Sequence, residues 1–380
     1  MATFKFSDLI TQYNNFAHAT LKIEIDGTDI AENKNSLVVS DVEVINTCEY
    51  EASIASFIIY NSYSRMTKSF KYKETKKYAS LGSAVVISLG YDLMVREVFR
   101  GFISNISYTV SQGVTGIVVT CMDVKGLMMA GNYSSQLQSL SYSEAVKEIL
   151  KRTVYEKLQS AKVITSLDGI ADTPDKAAAS NEKDKANDRY IEMVAESDYE
   201  FVVKAAKKYN FEFFMLGGVV YFREAKSNKE ILIELDADAG ITSLDIEYDI
   251  TGLAGSIEVR NMDVGSNNLY KEKKKLNNVD GKAKTLISSI NKVYIDPTIR
   301  SKEDAKYRAA YLENDISYRY GTLRAEMVGL PEISPGYFIN ISIIEENKPV
   351  SFYVTEVRHV LNDDGFATYI TGKAAKMGTI

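Results

Sequence analysis

Few residues in this 380-residue chain are of types that do chemistry. There are two histidines, His18 and His359, and two cysteines, Cys48 and Cys121. A metal site needs His or Cys repeated at short spacing. His359 stands in an alternating stretch between Arg358 and Val360 with no second His or Cys at such a spacing, so it reads as a packed or hydrogen-bonded structural histidine. No metal is assigned, and no cofactor. Neither cysteine has a nearby His in a nucleophile arrangement, so both read as buried thiols. Gly-x-Ser-x-Gly, His-Glu-x-x-His and phosphate-cradling Gly-Lys-Ser/Thr motifs do not occur, which removes the usual support for several hydrolase classes. Two acid pairs remain, Glu345-Glu346 and Asp363-Asp364, of the kind that supply a glycosidase's acid and base. Both lie in turn-like sequence, where solvated loop charges are the commoner outcome. Lys68, Lys71, Lys73, Lys76 and Lys77, and the cluster from Lys271 to Lys275, either meet an acidic neighbour or stand as solvated loops.

Composition narrows the class of partner. Lys plus Arg is 45 and Asp plus Glu 51, a formal charge of -6, and the pI is near 5.3. That balance is the opposite of a duplex-binding surface, so nucleic acid is excluded as a partner in favour of protein. With 25 Tyr, 15 Phe, no Trp and only 5 Pro, the chain favours strands. Two cysteines are too few for a disulfide-stapled secreted module, which points to folding in a reducing cytoplasm. The start, Met1-Ala2-Thr3-Phe4-Lys5-Phe6, lacks the features of a signal peptide. No apolar run approaches the roughly 20 residues of a membrane-spanning helix, so no membrane span is expected.

The elements that must position these residues follow from periodicity. Leu9, Ile10, Tyr13 and Phe16 recur at helical spacing in a short opening segment. Residues 21 to 125 then read as strands and turns: Leu21 to Ile25 alternates and stops at Asp26-Gly27, and Val42 to Ile45, Ser56 to Tyr60, Ala84 to Leu89, Phe99 to Tyr108 and Gly116 to Cys121 continue the pattern. Ser141-Tyr142-Ser143-Glu144 is a capping-box signature ahead of a helix carrying Ala145, Val146, Ile149, Leu150 and Val154 on one face. An exposed loop is expected over 168–189. Asp198 is placed to cap a helix striped by Phe201, Val202, Ala205, Ala206 and Tyr209, followed by a hairpin turning at Gly217-Gly218. Strands resume near Leu244, interrupted by the basic cluster and by a helix around Lys302 to Ile316, and end with Ile339 to Ile344, Phe352 to Val360 and Ala367 to Ile370.

The two β-rich parts look like versions of one another. Leu81-Gly82-Ser83-Ala84-Val85-Val86-Ile87-Ser88 resembles Pro335-Gly336-Tyr337-Phe338-Ile339-Asn340-Ile341-Ser342, and Gly101 precedes Gly113 by the same spacing that separates Tyr353 from Gly365. Duplication has a physical consequence: three chains, each with two equivalent modules, form a ring of six similar units.

These segments resemble the baseplate hub family of contractile injection systems, which includes phage late control protein D, R-type bacteriocin hubs and the N-terminal hub part of type VI secretion spike proteins. Phe99-Arg100-Gly101-Phe102-Ile103 with Val118 to Asp123 is similar to the closing hairpin of that family's first barrel. Glu196-Ser197-Asp198-Tyr199-Glu200-Phe201-Val202 with Ala205 to Phe211 is similar to its most recognisable stretch. Gly329 to Gly336, and Tyr353 to His359 with Gly365-Phe366-Ala367-Thr368, resemble the final strands of the second barrel. The resemblance covers most of residues 20 to 378 and implies an α+β, mainly β chain, with two similar β-barrel domains flanking a small α+β middle domain and a pseudo-sixfold torus on trimerisation. The expected domains are an N-terminal extension over 1–20, a first barrel over 21–130, a middle domain over 131–240 and a second barrel over 241–380.

The implied function is that of a non-enzymatic structural hub, a homotrimer joining a hexameric tail tube or tube-initiator protein to a trimeric spike, with tape measure and other baseplate proteins as further partners. The chain stops at Ile380 without the oligosaccharide-binding barrel and needle of type VI spikes, which implies a spike on another polypeptide. Synthesis in the bacterial cytoplasm and incorporation into a virion or tail-like particle follow. Aromatic residues of the closing hairpins and middle helix, Phe99, Phe102, Tyr199, Phe201, Tyr209, Phe352 and Tyr353, are the expected interface anchors, although most aromatics in strands serve the core. The rival readings are a cell-wall degrading or glycan-binding tail protein, resting on the acid pairs, and a tail-tube protein.

Overall fold

The computed structural model describes residues 3–31, 37–110, 115–175, 191–236, 239–263, 267–276, 279, 281–342 and 348–380. The first β-rich part contains β1 (Ala19–Ile25), β2 (Val39–Thr47), β3 (Ile54–Ile59), β4 (Ala84–Tyr91), β5 (Met94–Val110) and β6 (Thr115–Met122). Their spatial order is β1-β4-β5-β6-β3-β2. Alternation in sequence becomes two-facedness in space: Ile23 and Ile25 of β1 are buried while Lys22 and Glu24, alternating with them, reach solvent. The middle part is built from α2 (Tyr142–Ile149), α3 (Thr153–Ser160), α4 (Asp198–Tyr209) and the hairpin β7 (Phe211–Leu216) and β8 (Val219–Glu224).

The second β-rich part contains β9 (Ile231–Leu235), β10 (Ile241–Tyr248), β14 (Gly321–Val328), β15 (Phe338–Ile341), β16 (Val350–Asn362) and β17 (Gly365–Ala374). Between β10 and β14 lies an insertion of three strands, β11 (Ser256–Asp263), β12 (Asn268–Lys275) and β13 (Asn291–Ile295), with the long helix α5 (Lys302–Ser317). The order in the second part is β9-β15-β16-β17-β14-β10. Ranked by position in the chain, both parts therefore read first, fourth, fifth, sixth, third, second. They differ in one direction: β1 runs antiparallel to β4, whereas β9 runs parallel to β15.

The duplication extends to register. Phe102 pairs with Met122 across β5 and β6, and Tyr353 with Lys373 across β16 and β17. Both partners lie 251 residues further on (353 − 102 and 373 − 122). Each hairpin shifts register at one skipped residue, Ser104 in the first and Thr355 in the second, again 251 apart (355 − 104). A bulge conserved to the residue between two halves of one chain is not a property of hairpins in general. The structural repeat equates Gly101 with Phe352, one position away from the pairing with Tyr353 that the spacing of glycines suggests.

One expectation changes at the level of architecture. The strands do not form two separate barrels: β2 of the first part is hydrogen-bonded to β16 of the second, and the two parts join in one 14-stranded sheet that closes no barrel among the described residues. β9, inside the stretch read as middle domain, is hydrogen-bonded to β15 of the second part. The N-terminal extension is tied to the rest of the fold. Phe4–Lys5 forms a short parallel strand on β9, and Phe6, Leu9 and Tyr13 enter the core shared by both parts.

Helix boundaries follow local chemistry. Ser197, not Asp198, caps α4; its side chain accepts from the Glu200 amide while the Glu200 carboxylate accepts from the Ser197 amide, a capping box worth about 1 kcal/mol. Asn210 ends α4 in the left-handed region. The apolar stripe running to Val154 is split into α2 and α3, and Val154 is exposed at the start of the second. The basic cluster Lys271 to Lys275 is a strand rather than a mobile loop: Tyr270 packs against the insertion's core, and Lys274 pairs with Glu313 of α5 at 2.7 Å. Of the loop expected over 168–189, Ser166–Ile170 is a strand, and 176–189 lies outside the described residues.

Candidate functional site

The chemistry-bearing residues are absorbed by the fold. His359 on β16 is buried, its Nδ1 2.9 Å from the Thr368 hydroxyl of β17, and burial pushes its pKa down to about 4. Cys48 and Cys121 are buried, and burial pushes both thiols up, away from reactivity at neutral pH. Asp363 and Asp364 are exposed in the two-residue turn between β16 and β17, where the Asp364 amide donates to the Asn362 side chain. Glu345 and Glu346 lie outside the described residues. Among the described residues, no group of three His, Cys, Asp or Glu is placed to hold a metal ion.

Six of the seven aromatic anchors go to the protomer's own interior. Phe99 and Phe352 lie in the core common to both β-rich parts; Phe102, Phe201 and Tyr209 lie in the middle core. Tyr353 is buried against Phe338 and Phe214, where β7, apolar on both faces, is clasped between the middle core and the second part. Tyr199 is half-buried, its hydroxyl donating to the Tyr50 carbonyl at 2.8 Å.

Buried polar clamps hold the parts in one arrangement. The Tyr353 hydroxyl donates to the Glu212 carboxylate at 2.7 Å, Arg223 pairs with the same carboxylate at 2.8 Å, and Arg223 also donates to the Gly336 carbonyl. Asp123 accepts from the Ser53 and Lys125 amides, and the buried Lys125 ammonium donates to the Glu49 and Glu51 carbonyls. Burial pushes Asp123 up and Lys125 down, each opposed by the charge of the other. At the N-terminal end, Glu332 accepts from the Tyr13 hydroxyl and pairs with Arg96 of β5 at 2.9 Å. A cleft of about 510 Å³ lies beside the first of these clamps, lined by Glu49, Glu212, Lys226, Tyr318 and Arg319 among others. Its central carboxylate, Glu212, is already taken up by Tyr353 and Arg223, which suits a clamp between domains better than proton transfer to a substrate.

What remains at the surface are strand edges. The C-terminal half of β16 is flanked on one side by β17 and on the other by β2, with Val44 opposite His359 and Asn46 opposite Val357. Its counterpart in the first part, the C-terminal half of β5 from Asn105 to Val110, is paired among the described residues on one side only, with β6. β10, the counterpart of β2, is paired among the described residues only with β14. Tyr108 and Val110 are 43% and 59% exposed. These edges carry no sequence motif; only the pairing of the two halves reveals them.

No family model matches the chain, and no curated protein matches it in sequence. Solved structures do match along nearly its whole length. A tail protein from Neisseria meningitidis superposes with a TM-score of 0.65 at 12% identity, over 94% of this chain and 97% of its own. A 43 kDa tail protein of prophage MuSo2 from Shewanella oneidensis gives 0.65 at 10% identity, over 94% and 98%. An E. coli component of the type VI secretion system, described as structurally similar to the bacteriophage T4 tail proteins gp27 and gp5, gives 0.53 at 11% identity, over 94% and 79%. The chain has the fold of these tail proteins, and the resemblance read from its sequence is borne out at the level of fold.

Proposed function

We propose that this protein is the structural hub of a contractile tail or related injection machine, a homotrimeric adaptor between a hexameric tail tube and a trimeric spike. One observation carries the reading: a single protomer holds two copies of one six-strand arrangement, matched to the bulge, so that three protomers present six near-equivalent units. The end-to-end fold likeness to phage tail proteins supports the setting. The work of such a hub is assembly and load transfer, for which buried interdomain clamps and a shared core are apt and a catalytic centre is not needed. Asp363 and Asp364, exposed in a tight turn, lend the cell-wall reading no support.

Light scattering of the purified chain, alone and with its spike partner, tests this. The expected mass is three times 42.4 kDa, and negative-stain images should show a ring. A single-protomer mass at high concentration that persists with the spike present overturns the proposal.

A further inference from the structure

The junction inside one protomer specifies a second junction between protomers. Within the chain, β2 lies antiparallel on the C-terminal half of β16, from Val42 opposite Leu361 to Thr47 opposite Glu356. The repeat converts each side of this seam into its counterpart. On β16 the shift is 251 residues, so Leu361, His359 and Val357 become Val110, Tyr108 and Ile106. On β2 the conversion runs through shared partners. Glu43 pairs with Ser56 and Ser56 with Thr120; Asp245 pairs with Arg324 and Arg324 with Thr371. Thr120 and Thr371 are the same position of the repeat (371 − 120 = 251), so Glu43 corresponds to Asp245, and Val42, Val44 and Asn46 become Leu244, Ile246 and Tyr248.

We propose that, in the trimer argued above and resting on that reading, β10 of one protomer pairs antiparallel with the C-terminal half of β5 of the next. Leu244 then faces Val110, Ile246 faces Tyr108 and Tyr248 faces Ile106. Both edges are unpaired by any strand among the described residues. Burial differs where the proposal says it must. Val42 and Val44 are fully buried in the internal seam, as is Val357. Their counterparts Leu244, Ile246 and Ile106 are only half-buried, and Tyr108 and Val110 stand exposed. The Tyr248 hydroxyl is buried without a hydrogen-bond partner among the described residues. An unprotected edge of alternating apolar residues is a template for pairing, and a second copy of this chain is the occupant whose complementary edge the protomer already displays. The contact is heterologous, one edge meeting a different one, so it repeats from protomer to protomer and closes as a ring of three when each copy is turned by a third of a revolution.

Engineered cysteines read the register. Ser107 and Glu247 become facing residues across the proposed seam, the counterparts of Arg358 and Ile45, which already face each other within the chain. Oxidation of the S107C/E247C protein should give covalent species up to the trimer. The pair S107C/D245C, displaced by two residues and so about 7–8 Å apart, should give few. The I45C/R358C pair, which cross-links within one protomer, reports that oxidation works. A trimer by light scattering that cross-links through neither intermolecular pair overturns the seam and leaves the trimeric hub standing. Cross-linking through the displaced pair overturns the register. A chain that does not trimerise overturns both the seam and the hub.

Discussion

His359 is neutral in the folded protein because burial beside Phe366 and Thr368 disfavours its cation. Its folded pKa, about 4, lies below the ordinary 6.5. In the window between those values the unfolded chain takes up a proton that the folded chain refuses, so stability falls as pH falls from about 6.5 to about 4. Below that the folded state also protonates and the slope ends. The shift corresponds to about 3 kcal/mol across the window. Urea unfolding at a series of pH values should show this slope in the wild type and its loss in His359→Gln; an unchanged slope would assign the effect to other groups. The same burial withdraws from solvent the residue types that suggested chemistry. Both thiols and the single strand histidine are spent on packing, as their isolation in the sequence from any ligand or nucleophile partner indicated.

At the scale of elements, the β5–β6 hairpin depends on a glycine. A Cβ at Gly101 would lie 2.2 Å from the Met122 carbonyl oxygen, a backbone atom held by the ladder. Gly101→Ala should therefore cost about 1–3 kcal/mol, read as a lower urea midpoint, and a neutral result would mean that the hairpin bends freely there. The second copy solves the same crowding in reverse: Phe352 stands where the first has Gly101, and Gly372 where the first has Cys121. This exchange of volume across paired strands explains what the sequence could and could not tell. Alternation, caps and glycine turns located most strands and the helices α2, α4 and α5, because those signals are local. The match of Leu81–Ser88 to Pro335–Ser342 was legible in the sequence and is in register, Ala84 facing Phe102 as Phe338 faces Tyr353, whereas the glycine spacing of the closing hairpins slipped by one residue, because matched positions there keep their register and not their residue types. The strand at Lys271 to Lys275 was hidden for a similar reason, its inward contacts being made by Tyr270 and a lysine stem rather than by aliphatic residues.

For the whole molecule, the proposed assembly turns on the open edges. Ile246→Lys places a charge at the centre of the proposed seam while leaving β10 paired to β14. It should leave circular dichroism unchanged and reduce the light-scattering mass to one protomer. A variant that still forms trimers would show that contacts elsewhere hold the ring. The anchors named from sequence, Phe99, Phe102, Phe201, Tyr209, Phe352 and Tyr353, were drawn from strand and helix segments whose rings face inward, because a large ring in a periodic element serves its own core before any neighbour. The second closing hairpin carries the seam inside the chain, and the first would carry the proposed one.

The link between β2 and β3 is short, residues 48–53, whereas its counterpart between β10 and β14 spans 249–320 and carries a folded lobe of its own around α5. Alternate units of any assembled collar would thus be bare and crowned in turn. Strand periodicity would count sixfold around the axis while the lobes count threefold, so a neighbour touching only the sheets and a neighbour touching only the lobes would perceive different rotational orders in the same object.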